Sequence, residues 1–167
     1  KRSRNYTMNT LPWLRLVRGT CLLRARLKKP ESKLWQQLRD GTKHCDVFWT
    51  RLESWATPGI PDCHGIVDGF PFWLELKLHS LKSLKYVNLS PHQIAWQIRY
   101  SGKSGCVLNL VGHPSSNSIN IFRGERAMDI GPTRDRKEEL TPDWESVKPY
   151  DWEGMLDFIL SQKKKKK

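Results

Sequence analysis

No apolar run in this 167-residue chain approaches the ~18–20 residues that a helical membrane span needs. Its longest apolar patches, such as residues 70–74, have the length of a strand, so no membrane partner is expected. Zinc-module spacing is also missing. Cys21, Cys45, Cys63 and Cys106 form no C-x-x-C pair. Cys63 and His64 are adjacent and could ligate a metal, but a half-buried strand position accounts for Cys63 more simply. Reduced thiols in a cytosolic setting are the simplest reading of all four cysteines. There is no internal repeat, and no basic amphipathic helix with a strong apolar face that would suit an anionic membrane surface. No secretory signal stands at Lys1-Arg2-Ser3-Arg4, so a cytoplasmic location is expected, in a host cell if the chain is phage-encoded. The chain opens on Lys1 rather than Met, which suggests a processed chain or one begun inside a longer frame.

Acidic residues are scarce. Seventeen Asp and Glu stand against 29 Lys and Arg, for a net charge of +12 and a pI near 9.8. Five lysines close the chain, and a large positive excess remains without them. A domain this basic suits a polyanion, nucleic acid first. At 38% hydrophobic content and a mean hydropathy of −0.63, the chain is long enough for one domain with a real core.

Residues 1–29 read as a basic N-terminal arm, with Trp13, Leu14, Leu16 and Val17 among arginines. The domain proper opens at Pro30-Glu31-Ser32, where Pro suits the first turn of a helix and Glu its positive end. Leu34, Trp35 and Leu38 follow at helical spacing, and Gly41 closes the segment. Strands are expected over 44–52, 62–67 and 70–78, the last two joined by the hairpin turn Asp68-Gly69. Residues 82–88 read as a loop. Ser90-Pro91 starts a helix, with Ser as N-cap and Pro at its first position; Ile94, Trp96, Ile98 and Tyr100 supply its apolar content. Strands at 106–111 and 119–122 follow. Residues 123–167 form a charged, turn-rich extension ending in a helix and the Lys tail. The order implies an α/β fold with a small central mixed sheet flanked by helices.

The chemistry gathers at residues 59–77. An acid, Asp62, follows the turn Gly59-Ile60-Pro61. Thirteen positions later Glu75-Leu76-Lys77 ends a bulky apolar run. Glu75 and Lys77 are two apart on one strand and project from the same face, while Leu76 points into the core. The hairpin brings Asp62 beside Glu75. Two carboxylates can bind a hard cation through oxygen and present it to a phosphodiester, and the ammonium can orient water or stabilise the pentacovalent phosphate. Pro142-Asp143 repeats the Pro-Asp letters, but no strand or acid-x-Lys follows it.

These residues, together with Trp73-Leu74 and Leu89-Ser90-Pro91-His92-Gln93, resemble the PD-(D/E)xK nuclease superfamily. The likeness is to its VRR-NUC and Holliday-junction-resolvase branch, phage-encoded versions included, whose members share a G-x-P-D turn, an E-x-K strand and an L-S-x-x-Q helix start. It spans residues 30–122. It implies a restriction-endonuclease-like core, DNA cleavage with Mg²⁺ or Mn²⁺, Asp62 and Glu75 as metal ligands with the Leu76 backbone carbonyl, and Lys77 as the catalytic lysine. The family usually adds an acid from the first helix. Glu31 fits that position, with Glu53 as the rival. Gln93 would approach the site or the scissile phosphate. His64 and His92 are expected at the surface or near DNA, and the eight tryptophans mostly in the core. The functions in view are a structure-selective DNA endonuclease, a sequence-specific homing or restriction-type endonuclease, and a non-catalytic nucleic-acid-binding protein. Junction resolution needs two coordinated sites, hence a homodimer.

Overall fold

The computed structural model describes residues 31–52, 57–133 and 136–164. The basic arm, Glu53 and the last three lysines therefore lie outside the described residues. Six strands form one sheet whose spatial order is their chain order: β1 (Val47–Arg51), β2 (Cys63–Val67), β3 (Phe70–Leu78), β4 (Val107–His113), β5 (Ser118–Arg123) and β6 (Trp144–Val147). Only β3 and β4 run parallel; the other neighbours are antiparallel. Among the described residues the sheet is accompanied by four α-helices, α1 (Glu31–Gly41), α2 (Pro91–Ser101), α3 (Ala127–Ile130) and α4 (Trp152–Lys164), and a 3-10 turn at Gly124–Arg126. The expected α/β architecture with a mixed sheet is the one observed. No helix among the described residues is long and apolar enough to cross a membrane.

Alternation along β3 sorts the two faces. Phe72, Leu74 and Leu76 are fully buried in a core shared with Leu34 and Leu38 of α1 and Met155, Leu156 and Ile159 of α4. Trp73, Glu75 and Lys77 look the other way. That second face carries a smaller core of Leu84, Val87, Leu89, Val111, Phe122, Ala127 and Ile130, with Ile94 of α2 packed against it. The sheet is thus covered on both sides, which is why β3 reads as a nearly continuous apolar run.

The β2–β3 hairpin turns on Asp68 (φ 47°) and Gly69 (φ 66°). Two positive φ values in a row match the twist of paired strands, and Asp-Gly tolerates them. α2 starts as its letters indicate: the Ser90 side chain accepts the Gln93 N–H at 3.2 Å, and Gln93 Oε1 accepts the Ser90 N–H at 2.9 Å.

Several expectations need correction. β1 begins at Val47, not residue 44, because the Cys45 N–H donates to the Thr42 carbonyl and turns 42–46 away from the sheet. Asp62 precedes β2 rather than beginning it, although its carbonyl accepts the Leu52 N–H at 2.7 Å. The inward residue of α2 is Gln97, while Ile98 is 38% exposed. The segment after 123 is not only turns, since β6 extends the sheet and Trp144, Met155 and Ile159 join the main core. None of the six described tryptophans is fully buried; Trp35, Trp49, Trp144 and Trp152 pack against the core from its margin.

Candidate active site

Glu75 is 1% exposed. It sits mid-strand in β3, opposite Asn109 of the parallel neighbour β4. A carboxylate there is expensive to bury, and three groups converge on it. Lys77 Nζ lies 2.8 Å from Oε1, as expected for side chains two apart on one strand face. Gln93 Nε2 donates to the same Oε1 at 2.5 Å. Asp62 approaches from the end of β2, where its Oδ2 accepts the Leu76 N–H at 3.0 Å. That bond fixes the first carboxylate against the backbone between Glu75 and Lys77.

Gln93 has two tasks. Its oxygen closes the capping box of α2, and its amide nitrogen reaches Glu75. One helical turn later Gln97 forms a reciprocal amide pair with Asn109, at 2.8 and 2.9 Å, and both residues are fully buried. The i, i+4 pair on α2 thus grips two residues that are neighbours across β3 and β4. The turn before Asp62 is held to the same helix. Gly59 has φ +90°, and a Cβ there would stand 2.4 Å from the His92 carbonyl oxygen, so the close approach requires glycine.

The electrostatics follow from this packing. Burial and then the Asp62 charge push the Glu75 carboxyl up from 4.5 to about 7, with Lys77 and, more weakly, the Asp62 backbone N–H pulling it back only in part. Asp62 is raised too, chiefly by burial; the Leu76 N–H, Lys77 and Arg51 oppose this and Glu31 adds to it. Glu31, in the first turn of α1, therefore stands close enough for its charge to act on Asp62.

Glu75 Oε2 is buried and, among the described residues, makes no hydrogen bond of normal geometry. A buried, unpaired carboxylate oxygen is costly and rare. Here it belongs to an all-oxygen donor set, with Asp62 beside it. Such a set fits a hard divalent cation of the Mg²⁺ class.

Of the expected site residues, Asp62, Glu75, Lys77 and Gln93 converge, and the charge of Glu31 reaches Asp62. His92 is exposed at the start of α2, and His64 leans on Trp73 with ring centroids 4.9 Å apart. Cys63 is buried in the core while His64 faces the opposite side of the sheet, so the pair cannot share an ion. Asp143 of the Pro142-Asp143 pair is structural: its carboxylate meets Arg123 Nε at 2.9 Å and Arg126 NH1 at 2.8 Å. Three contributors went unread in the sequence: Arg51, Gln97 and Asn109. A lone Asn inside the apolar strand 106–111 and a Gln four positions after Gln93 were the available signals for two of them.

Compared with models of known families and with curated proteins, the chain matches none. Among solved structures it resembles Hjc, a Holliday junction resolvase of the archaeal hyperthermophile Archaeoglobus fulgidus. The two are 13% identical with a TM-score of 0.46, over 67% of this chain and 88% of that one. A likeness this distant assigns no activity to the present chain.

Proposed function

We propose that this chain is a divalent-metal-dependent endodeoxyribonuclease, selective for branched DNA in the manner of a junction resolvase. The observation that carries the reading is the unpartnered, buried Glu75 Oε2 beside Asp62, with Lys77 and Gln93 on the other oxygen of Glu75. A buried carboxylate oxygen without a partner is costly, and a bound cation would supply one. The net charge of +12 supports DNA as the partner. Selectivity for branched DNA and a homodimeric state rest on the G-x-P-D, E-x-K and L-S-x-x-Q motifs alone.

In this reading Asp62, Glu75 and the Leu76 carbonyl hold Mg²⁺, or Mn²⁺ in its place, with Glu31 or Glu53 as the additional acid. When bound, the ion would supply charge stabilisation at the phosphate and lower the pKa of water. Asp62 is presented by its bond to the Leu76 N–H. Gln93 fixes the rotamer of Glu75 and keeps it facing the sheet surface. Lys77, 19% exposed, is placed to meet charge that develops on the phosphate. α2 covers the site and restricts water.

The test is cleavage of a four-way junction, its matched duplex and its single strand by the full chain in Mg²⁺, alongside Asp62→Asn and Glu75→Gln. The junction alone should be cut, and both variants should bind it without cutting. Duplex cut at one fixed sequence would favour the homing or restriction-type reading. Binding without cleavage in Mg²⁺ and in Mn²⁺ would leave a non-catalytic DNA-binding protein, and wild-type rates in either variant would overturn the site. Changing Glu31 and Glu53 separately to Gln identifies the additional acid, since that variant alone should lose rate by orders of magnitude.

A further inference from the structure

We propose a second metal site, for zinc or a similar borderline divalent cation, formed by His44, Cys45 and Glu153. One ligand atom from each residue lies within 4.8 Å of the others, and no ion is present. His44 Nε2 already stands 3.0 Å from Glu153 Oε1. Tetrahedral bonds of ~2.0–2.3 Å would set ligand atoms roughly 3.3–3.7 Å apart, so the widest gap needs to close by about 1 Å.

The donor chemistry differs from that around Glu75. Imidazole, thiolate and carboxylate together select zinc-like ions, whereas an all-oxygen set selects Mg²⁺. The two places are also apart in the fold. His44 and Cys45 share an open cleft with Val67 and Asp68, at the hairpin end of β2, while Asp62 precedes its other end. That cleft, about 490 Å³, is also lined by Asp46 and Asp157. Among the described residues no lysine or arginine lines it, although the chain carries a net charge of +12. The local field therefore favours a cation against the trend of the whole molecule.

Both ligand-bearing segments are held in place. On one side the Thr42 N–H donates to Leu38, the Cys45 N–H to Thr42 and the Val47 N–H to Cys45, at 2.9–3.0 Å. On the other, Asp151 Oδ1 accepts the Gly154 N–H at 2.8 Å, which fixes the first turn of α4 around Glu153. The Trp152 indole bridges the two: a Cβ on Gly41 would lie 2.0 Å from its Nε1. Two segments 109 positions apart thus present three ligands at the open cleft, beside the tight contact of Trp152 with Gly41. An ion there would pin α4 to the start of β1 and leave its remaining position open to water or an external ligand.

The experiment uses the full chain, stripped with chelator and titrated with Co²⁺ as a spectroscopic stand-in. One equivalent should produce the thiolate-to-cobalt charge-transfer band and the intense visible bands of a tetrahedral ion, and Zn²⁺ should displace it. Cys45→Ser should abolish the charge-transfer band, and Cys21→Ser should keep it. Glu153→Gln should weaken binding by more than the ~10-fold typical of losing even an outer partner. The Asp62→Asn, Glu75→Gln double variant, which loses the all-oxygen donor set, should keep the thiolate-to-cobalt band at wild-type intensity, so failure of the nuclease reading does not touch this one. In the Asp62→Asn, Glu75→Gln background, Zn²⁺ should raise the thermal midpoint by clearly more with Glu153 present than with Glu153→Gln, a largely exposed change that spares folding. No charge-transfer band in wild type, or a band that survives Cys45→Ser, overturns the proposal.

Discussion

Gln93 Nε2 donates to Glu75 Oε1 at 2.5 Å while its Oε1 accepts the Ser90 N–H at 2.9 Å. One amide therefore joins the start of α2 to the most buried carboxylate of the sheet. The cap and the site cannot be altered independently at this residue, but they can at Ser90. Ser90→Ala should cost about 1 kcal/mol of stability and leave the single-turnover cleavage rate within about twofold. Gln93→Ala should cost at least as much and also slow the chemical step. Equal rate losses in the two variants would show that Gln93 acts only as a cap.

The ionisation of Glu75 makes stability fall with pH. Its carboxyl titrates near 4.5 when free and near 7 when buried. Between those values the folded chain keeps a proton that the unfolded chain has released. The stabilisation is complete below pH 4.5 and lost by pH 7, a change of about 3 kcal/mol at about 1.4 kcal/mol per pH unit. Asp62, also raised, acts in the same direction. Urea unfolding of wild type and Glu75→Gln in divalent-free buffer isolates the contribution of Glu75. The wild type should lose stability relative to the variant across that window, and parallel curves would contradict the assignment.

Lys77→Ala should lower the single-turnover rate by about 10²–10³, the usual cost of one group aimed at developing charge, with DNA affinity changed by no more than about threefold. Rate at saturating DNA and the dissociation constant, measured on the same substrate, separate the two. A loss confined to affinity would make Lys77 a phosphate contact.

Two glycines with positive φ test how tightly the Asp62 turn is held. Gly69→Ala meets nothing within 4 Å, so it should cost only the roughly 1–2 kcal/mol of a left-handed residue and leave cleavage unchanged. Gly59→Ala adds a collision with the His92 carbonyl. It should destabilise more than Gly69→Ala and slow cleavage, because relief of the clash separates Asp62 from α2. Thermal melts and single-turnover rates of both variants provide the comparison.

Much of this was legible in the letters because the informative residues are local. Asp-Gly sets its own turn, Ser-Pro-x-Gln its own cap, and the i, i+2 pair Glu75 and Lys77 its own face. What escaped was decided across the sheet. Gln97 reads as a solvated helix residue until Asn109 of β4 is known to lie opposite Glu75. Residues 144–147 hold only four positions of strand, and their pairing with β5 is fixed by the apolar margin that Trp144 completes. His44 and Cys45 looked like strand because nothing local reveals the backbone bonds that curl 42–46 after α1.

Chain order equals strand order throughout the sheet, and the one parallel joint, β3 to β4, needs the crossover through 79–106 that contains α2. In kinetic terms, loop-closure entropy concentrates at that joint, since the antiparallel neighbours can zip from nearer contacts. Asp62, Glu75 and Lys77 all lie before it, on β3 or at the entry to β2. A nucleus built from the first three strands would hold these residues together while they are still wet, and the docking of α2 would be the step that dries them. The full burial of Glu75, and with it the rise of its carboxyl to about 7, then awaits the docking of α2.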